Sequence, residues 1–131
     1  MAFPVVDGMR ALELGTVGEM RARLNGLVLA GLKKATAGLL PEYEDEPLEH
    51  PGERLAVVDD HVQRVGIVEV TSTTLTTFGD VPWSFAQAEN EGDTSIEEWR
   101  DGHRGFWRRE GIEVTDDTPV FLIYFTHIEP H

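Results

Sequence analysis

The chain contains no cysteine, which excludes a disulfide framework and a thiolate metal site and points to a reducing compartment. Positive charge is also scarce. Eleven lysines and arginines stand against 24 aspartates and glutamates, a formal charge of −13, and that excess repels a phosphate backbone over most of the surface. Broad coating by nucleic acid is disfavoured, although Arg100, Arg104, Arg108 and Arg109 recur near aromatic residues and leave room for one local basic face. Long apolar runs are missing as well. No stretch approaches the length of a membrane span, and Met1 to Gly15 has the wrong order and length for a signal peptide, so no membrane association and a cytoplasmic location are expected. At 131 residues, with no internal repeat, low-complexity tract or linker, the chain is expected to form a single domain over 1–131 around one core.

What is present divides into recognisable segments. Thr16-Val17-Gly18-Glu19 has the pattern of a capping box, and Val17, Met20, Leu24, Leu27 and Val28 follow at helical spacing, which predicts a helix over about 17–30. Gly31 suits its carboxyl-terminal cap. Residues 41–53 carry three prolines and the acidic run Glu42, Glu44, Asp45, Glu46 and Glu49, which reads as a loop. Such a run is a solvated surface, a rim or lid, or a contact for a protein partner. Arg54–Asp59 and Arg64–Thr74 read as an antiparallel pair of strands, with Gly66 marking a bulge or a close backbone approach. A short helix is expected from Trp83 to Glu91, ended by Gly92. A second helix restarts at Thr94–Glu98, with Ile96, Trp99, His103, Phe106 and Trp107 on one face, and ends at Gly111. Thr118–Ile128 is apolar on both alternating faces and reads as a central strand. The sum is an α+β domain with one mixed, barrel-like sheet and helices packed at its ends.

The chemistry-bearing residues begin just past the first helix. Lys33 and Thr36 place an amine and a hydroxyl three residues apart, and a threonine hydroxyl becomes a nucleophile only beside a base, a role that a buried lysine can fill. If residues 32–37 are helical, Lys33 shares a face with Thr36; if they are extended, Lys34 does. The bland alternative is that both lysines are helix-end cations and Thr36 a turn residue. Downstream, Phe78-Gly79-Asp80-Val81-Pro82 leads through Ala86, Glu89 and Glu91-Gly92-Asp93 to Trp99, His103 and Phe106, and the two clusters suggest one lined pocket. Glu89 is suited to pairing with a lysine, shuttling a proton or holding an exocyclic amine. Trp83 follows Pro82 at the mouth of a loop and is a stacking candidate for a nucleobase, whereas the spacing of Trp99 and Phe106 favours packing. Arg100, Arg104 and Lys34 are candidate anion contacts, and His103 is a candidate ligand contact or packing residue. The histidines lack metal spacing, His127 and His131 being separated by Pro130 on a strand-like segment, and no phosphate loop, dinucleotide fingerprint or nucleophile elbow occurs. Neither a metal nor another cofactor is expected.

With those elements placed, the chain resembles the ASCH family, small domains related to the PUA-like β-barrels. The resemblance rests on Gly31-Leu32-Lys33-Lys34-Ala35-Thr36, which matches a G-x-K-x-x-T/E signature, on Phe78 to Pro82 followed by Ala86 to Asp93, and on Trp99 to Trp107. It covers residues from about 20 to 128. It implies a PUA-like mixed β-barrel with flanking helices and an association with RNA binding or processing. It also brings some similarity to a branch of amidohydrolases that remove acetyl from acetylcytidine through a lysine, a threonine and a glutamate. By motif these fall on Lys33, Thr36 and Glu89. The chain departs from that branch in having Lys34 where a small hydroxyl residue is common, Asn90 where a glycine usually follows the glutamate, and an added aromatic helix. The functional expectation is therefore a nucleoside-binding or short single-stranded RNA-binding domain that hydrolyses the amide of an acylated cytidine-like nucleoside. The alternatives are an RNA-binding or RNA-cleaving module and a non-enzymatic protein-interaction domain.

Overall fold

The structure, a computed structural model, describes residues 3–128. His131 and Pro130 lie outside them. Its strands are β1 (Val5–Val6), β2 (Met9–Leu12), β3 (Ala35–Leu39), β4 (Arg54–Val58), β5 (Arg64–Thr77) and β6 (Pro119–Ile128). Its helices are α1 (Glu19–Leu29), α2 (Trp83–Glu89) and α3 (Ile96–Arg109), with short 3-10 turns at Leu40–Tyr43 and Phe78–Asp80. The strands form one six-stranded sheet in the order β1-β2-β4-β5-β6-β3. All neighbours are antiparallel except β2 and β4, so the sheet is mixed. β1 and β3 end the ladder without pairing to each other; the barrel-like sheet stays open.

Two apolar clusters hold this frame, and strand alternation assigns residues to them. Phe121, Ile123 and Phe125 of β6 join Leu55, Val57, Val68 and Val70 beneath Leu24 and Val28 of α1. Val120 and Leu122, facing the other way, join Ala35, Leu39, Phe78, Phe85, Trp99 and Trp107 beneath α2 and α3. β6 is thus buried on both faces, as its unbroken apolar run implies. The β4–β5 pair occurs where the sequence places it, and Gly66 combines both features anticipated for it. The register slips beside it, between Val57 and Val58, and a Cβ there would lie 2.5 Å from Leu29 Cδ2.

The start of α1 corrects the sequence reading. The helix begins at Glu19, the Thr16 hydroxyl contacts Met20 Sδ, and no side chain caps the helix from within the segment. Instead the Asp60 carboxylate reaches across from the β4–β5 turn and accepts the Gly18 N–H at 3.1 Å. Gly31 closes the helix at φ +76°. α2 stops at Glu89, before the expected Glu91, because Asn90 takes the left-handed conformation (φ 53°) and its side chain donates to Leu32 O. α3 carries a working capping box: Ser95 accepts the Glu98 N–H while Glu98 accepts from Thr94. Among the described residues no helix is long and apolar enough to cross a membrane.

Candidate functional site

The segment after α1 runs extended into β3, and Lys34 donates its N–H to Ala88 O while its carbonyl accepts from Phe125 N. β3 pairs on one side only, with Ala35 opposite Tyr124 and Thr36 opposite Ile123. In regular antiparallel pairing the backbone groups of alternate residues point to the partner strand, so those of Ala35 and Ala37 point to the free edge. Lys33 uses that edge. Its Nζ folds back and donates to Ala35 O at 2.7 Å, Glu91 Oε2 at 2.5 Å and Glu89 Oε2 at 3.4 Å.

Lys33 is only 2 % exposed, as is Glu89, so the pair is a buried one. An ammonium so placed persists only with its donors satisfied. Glu89 sits at the end of α2, and its other oxygen, Oε1, accepts the Trp99 indole N–H at 2.5 Å and faces His103 Nε2 at 3.3 Å. Burial works to raise the Glu89 carboxyl, but Lys33, His103 and the indole together outweigh it and hold the group below the usual carboxylate range. His103, one helical turn from Trp99 and stacked on it with centroids 4.0 Å apart, donates Nδ1–H to Trp99 O at 3.0 Å. Burial opposes its charge, yet the hydrogen bond to Glu89 and the charges of Glu89 and Glu91 raise its pKa above the ordinary value. The geometry agrees, since both ring nitrogens face acceptors and only the imidazolium donates from both.

These groups border a hollow of about 220 Å³ that opens to solvent, lined by Lys33, Thr36, Glu89, Glu91 and His103, with Phe106 and Trp107 along a wall. Thr36, Ala37, Phe106 and Trp107 also border a second hollow of about 620 Å³ reaching toward Tyr43, Glu42 and Glu49. The free edge of β3 explains how Lys33 and Thr36, which strand parity places on opposite faces, line one cleft: both are approached from the unpaired side. No hydrogen bond joins them.

Lys34, Trp83, Arg100 and Arg104 are not brought into either hollow. Lys34 is exposed. Trp83 is half-buried against the cluster beneath α2 and α3. Arg100 donates to Gly79 O and Val81 O, pinning the 3-10 turn, and Arg104 lies over the Phe78 ring between Asp101 and Asp116. Their contacts are internal. Within the acidic loop Glu49 is buried, bound by the Tyr43 hydroxyl and near Arg10, so part of that run is structural. Glu91, Asp93 and Phe106, which the sequence groups into one pocket-forming cluster, and Arg109, which it places on a local basic face, line the smaller hollow, as does Arg23 of α1, to which the sequence assigns no role. Among the described residues no group of three or more His, Cys, Asp or Glu side chains is placed to hold a metal ion.

An open mixed sheet with helices covering a cleft at its edge strand, lined by a buried lysine and glutamate and a half-buried histidine, defines the class to which known structures can be compared. The family model of the ASCH domain matches residues 11–129, and the chain belongs to that family. It is similar to an ASCH domain from Lactobacillus crispatus, with 30 % identity, a TM-score of 0.75, and coverage of 87 % of this chain and 76 % of that one. It is also similar to a protein from Enterococcus faecalis, with 27 % identity, a TM-score of 0.81, and coverage of 98 % and 78 %. A Zymomonas mobilis ASCH protein shares the fold at 12 % identity and a TM-score of 0.54, covering 90 % and 72 %. No curated protein matches the chain. ASCH domains as a family are generally RNA-binding.

Proposed function

We propose that the cleft binds a nucleoside or a single unpaired RNA base, and that it hydrolyses an amide carried on the exocyclic amine of a cytidine-like base. The observation that carries this reading is that Lys33 and Thr36 line one solvent-reached hollow with Glu89, which is distant from them along the chain. Its volume suits one heterocycle, Phe106 supplies an aromatic wall, and the floor offers donors and acceptors together. Arg100 and Arg104 are engaged internally, which argues against a phosphate track along α3.

In the proposed chemistry Lys33 starts as an ammonium touching two carboxylates. It passes one proton to Glu89, and the resulting amine takes the Thr36 hydroxyl proton as that oxygen attacks the acyl carbon. The C–N bond then breaks, Glu89 returns its proton to the departing ring amine, and water cleaves the Thr36 ester to release the acid. Incubation with N4-acetylcytidine should yield cytidine and acetate in equal amounts. Thr36→Ser should retain turnover and Thr36→Ala should abolish it; undiminished turnover by Thr36→Ala would remove the nucleophile. Calorimetry with cytidine tests the binding half separately, and absence of any heat at millimolar nucleoside would remove that.

A further inference from the structure

Of the eleven lysines and arginines of this acidic chain, seven are engaged within the fold, Lys33 among them. Arg10, Arg21, Arg54, Arg64, Arg100 and Arg104 each donate to a carboxylate or a backbone carbonyl. The side chains of Lys34, Arg23, Arg108 and Arg109 form no ion pair or hydrogen bond among the described residues. Two of these four, Arg23 from α1 and Arg109 from the last turn of α3, line the same small hollow as Lys33, Thr36 and Glu89. There Lys33, Arg23, Arg109 and His103 face Glu89, Glu91 and Asp93, in a protein whose overall charge is −13. Lys33 is consumed by Glu89 and Glu91, and His103 is consumed by Glu89. Among the described residues the two exposed guanidinium groups are left without a counter-charge in contact. Asp93 feels the Arg23 charge without forming an ion pair with it.

We infer that Arg23 and Arg109 form a phosphate-binding mouth to the cleft, so that its ligand is a phosphorylated nucleoside or a base flanked by a phosphodiester and not a free nucleoside. This rests on the nucleoside reading above and adds the phosphate. The planar guanidinium donor fork matches phosphate oxygens, and arginines from two helices can grip one group from two sides. Two cations suffice for one phosphate, whereas a long backbone track needs many, and the surrounding negative surface restricts anion entry to this opening. The larger hollow does not compete for the phosphate. Glu13, Glu42, Glu49 and Glu110 line it against the single cation Arg21, whose guanidinium is bound to Leu14 O and Gly15 O.

Titration calorimetry at low salt with cytidine, cytidine 5′-monophosphate, cytidine 3′-monophosphate and a cytidine trinucleotide tests this. At least one monophosphate should bind on the order of ten-fold more tightly than cytidine, the scale of charge-assisted hydrogen bonds. That advantage should shrink as salt rises. The comparison of 5′ with 3′ phosphate, and of either with the trinucleotide, separates a free nucleotide from an RNA segment as the source. The nucleotide-to-nucleoside affinity ratio should collapse toward unity in Arg23→Gln/Arg109→Gln, persist in Arg108→Gln, and increase in Asp93→Asn. Cytidine binding with no phosphate advantage in the unaltered protein would overturn the phosphate mouth while leaving the nucleoside reading intact. A ratio that survives the double substitution would overturn the assignment to these arginines. Binding of neither nucleoside nor nucleotide would overturn both readings together.

Discussion

Replacing Glu89 with glutamine tests the centre of the site, because this carboxylate ties α2 to Lys33 before β3 and to Trp99 and His103 on α3. The side chain is 2 % exposed, so the lost charge is not replaced by water. Breaking a buried ion pair by removing one partner costs about 3–5 kcal/mol. Glu91 still holds Lys33, and glutamine is nearly isosteric and retains a carbonyl for the indole, so the lower end, about 3 kcal/mol, is the expectation. In urea this should lower the midpoint at unchanged m, and on heating it should lower Tm by roughly 10 °C for a domain of this size. Lys33→Met/Glu89→Gln should cost clearly less than the sum of the two single changes, since the double variant buries no unpaired ammonium. A loss under about 1 kcal/mol for Glu89→Gln, or strict additivity, would show that the network is solvated and that its role in shaping the cleft has been overstated.

The same network sets a pH window. The raised His103 pKa contributes stability that is fully present below its unfolded value, about 6.5, and is lost as pH rises through the folded value. The lowered Glu89 pKa contributes stability present above its unfolded value, about 4.3, and lost as pH falls through the folded value. The site's contribution should therefore be greatest between the two, with His103→Gln removing the alkaline decline and imidazole NMR placing the His103 midpoint above 6.5; a midpoint below that would contradict the pairing. Asp60→Ala should cost about 0.5–1 kcal/mol in urea unfolding by uncapping α1. Gly79→Ala should cost about 1–3 kcal/mol, because a Cβ there would lie 2.9 Å from Asp116 Cβ and 3.2 Å from its backbone oxygen.

How much of this was legible in the sequence follows from where the information resides. β6, α3 and the β4–β5 pair were readable because each carries its period locally: alternating apolar residues, aromatic positions a turn apart, a β-branched run. β3 was not, since Ala35-Thr36-Ala37-Gly38-Leu39 is poor in strand-forming side chains and is held extended by β6. β1 and β2 escaped for the related reason that elements this short, Val5–Val6 and Met9–Leu12, carry no periodic signal. The capping-box pattern at Thr16 misled because the group that meets Gly18 N–H comes from Asp60, which local pattern cannot foresee.

The candidate site divides along the same line. The signature offered a lysine and a threonine, but parity along an extended chain would set Lys34, not Lys33, beside Thr36. The structure evades that choice by ending the sheet at β3. Ala35 O, directed away from β6, draws Lys33 Nζ back along the free edge, and Ala37 lines the cleft on the same unpaired edge. A strand paired on both sides would have sealed this opening, which makes the unpaired edge the feature on which access to Thr36 depends. Sequence spacing could propose the lysine and the threonine; only the position of β3 in the strand order brings them to one cleft.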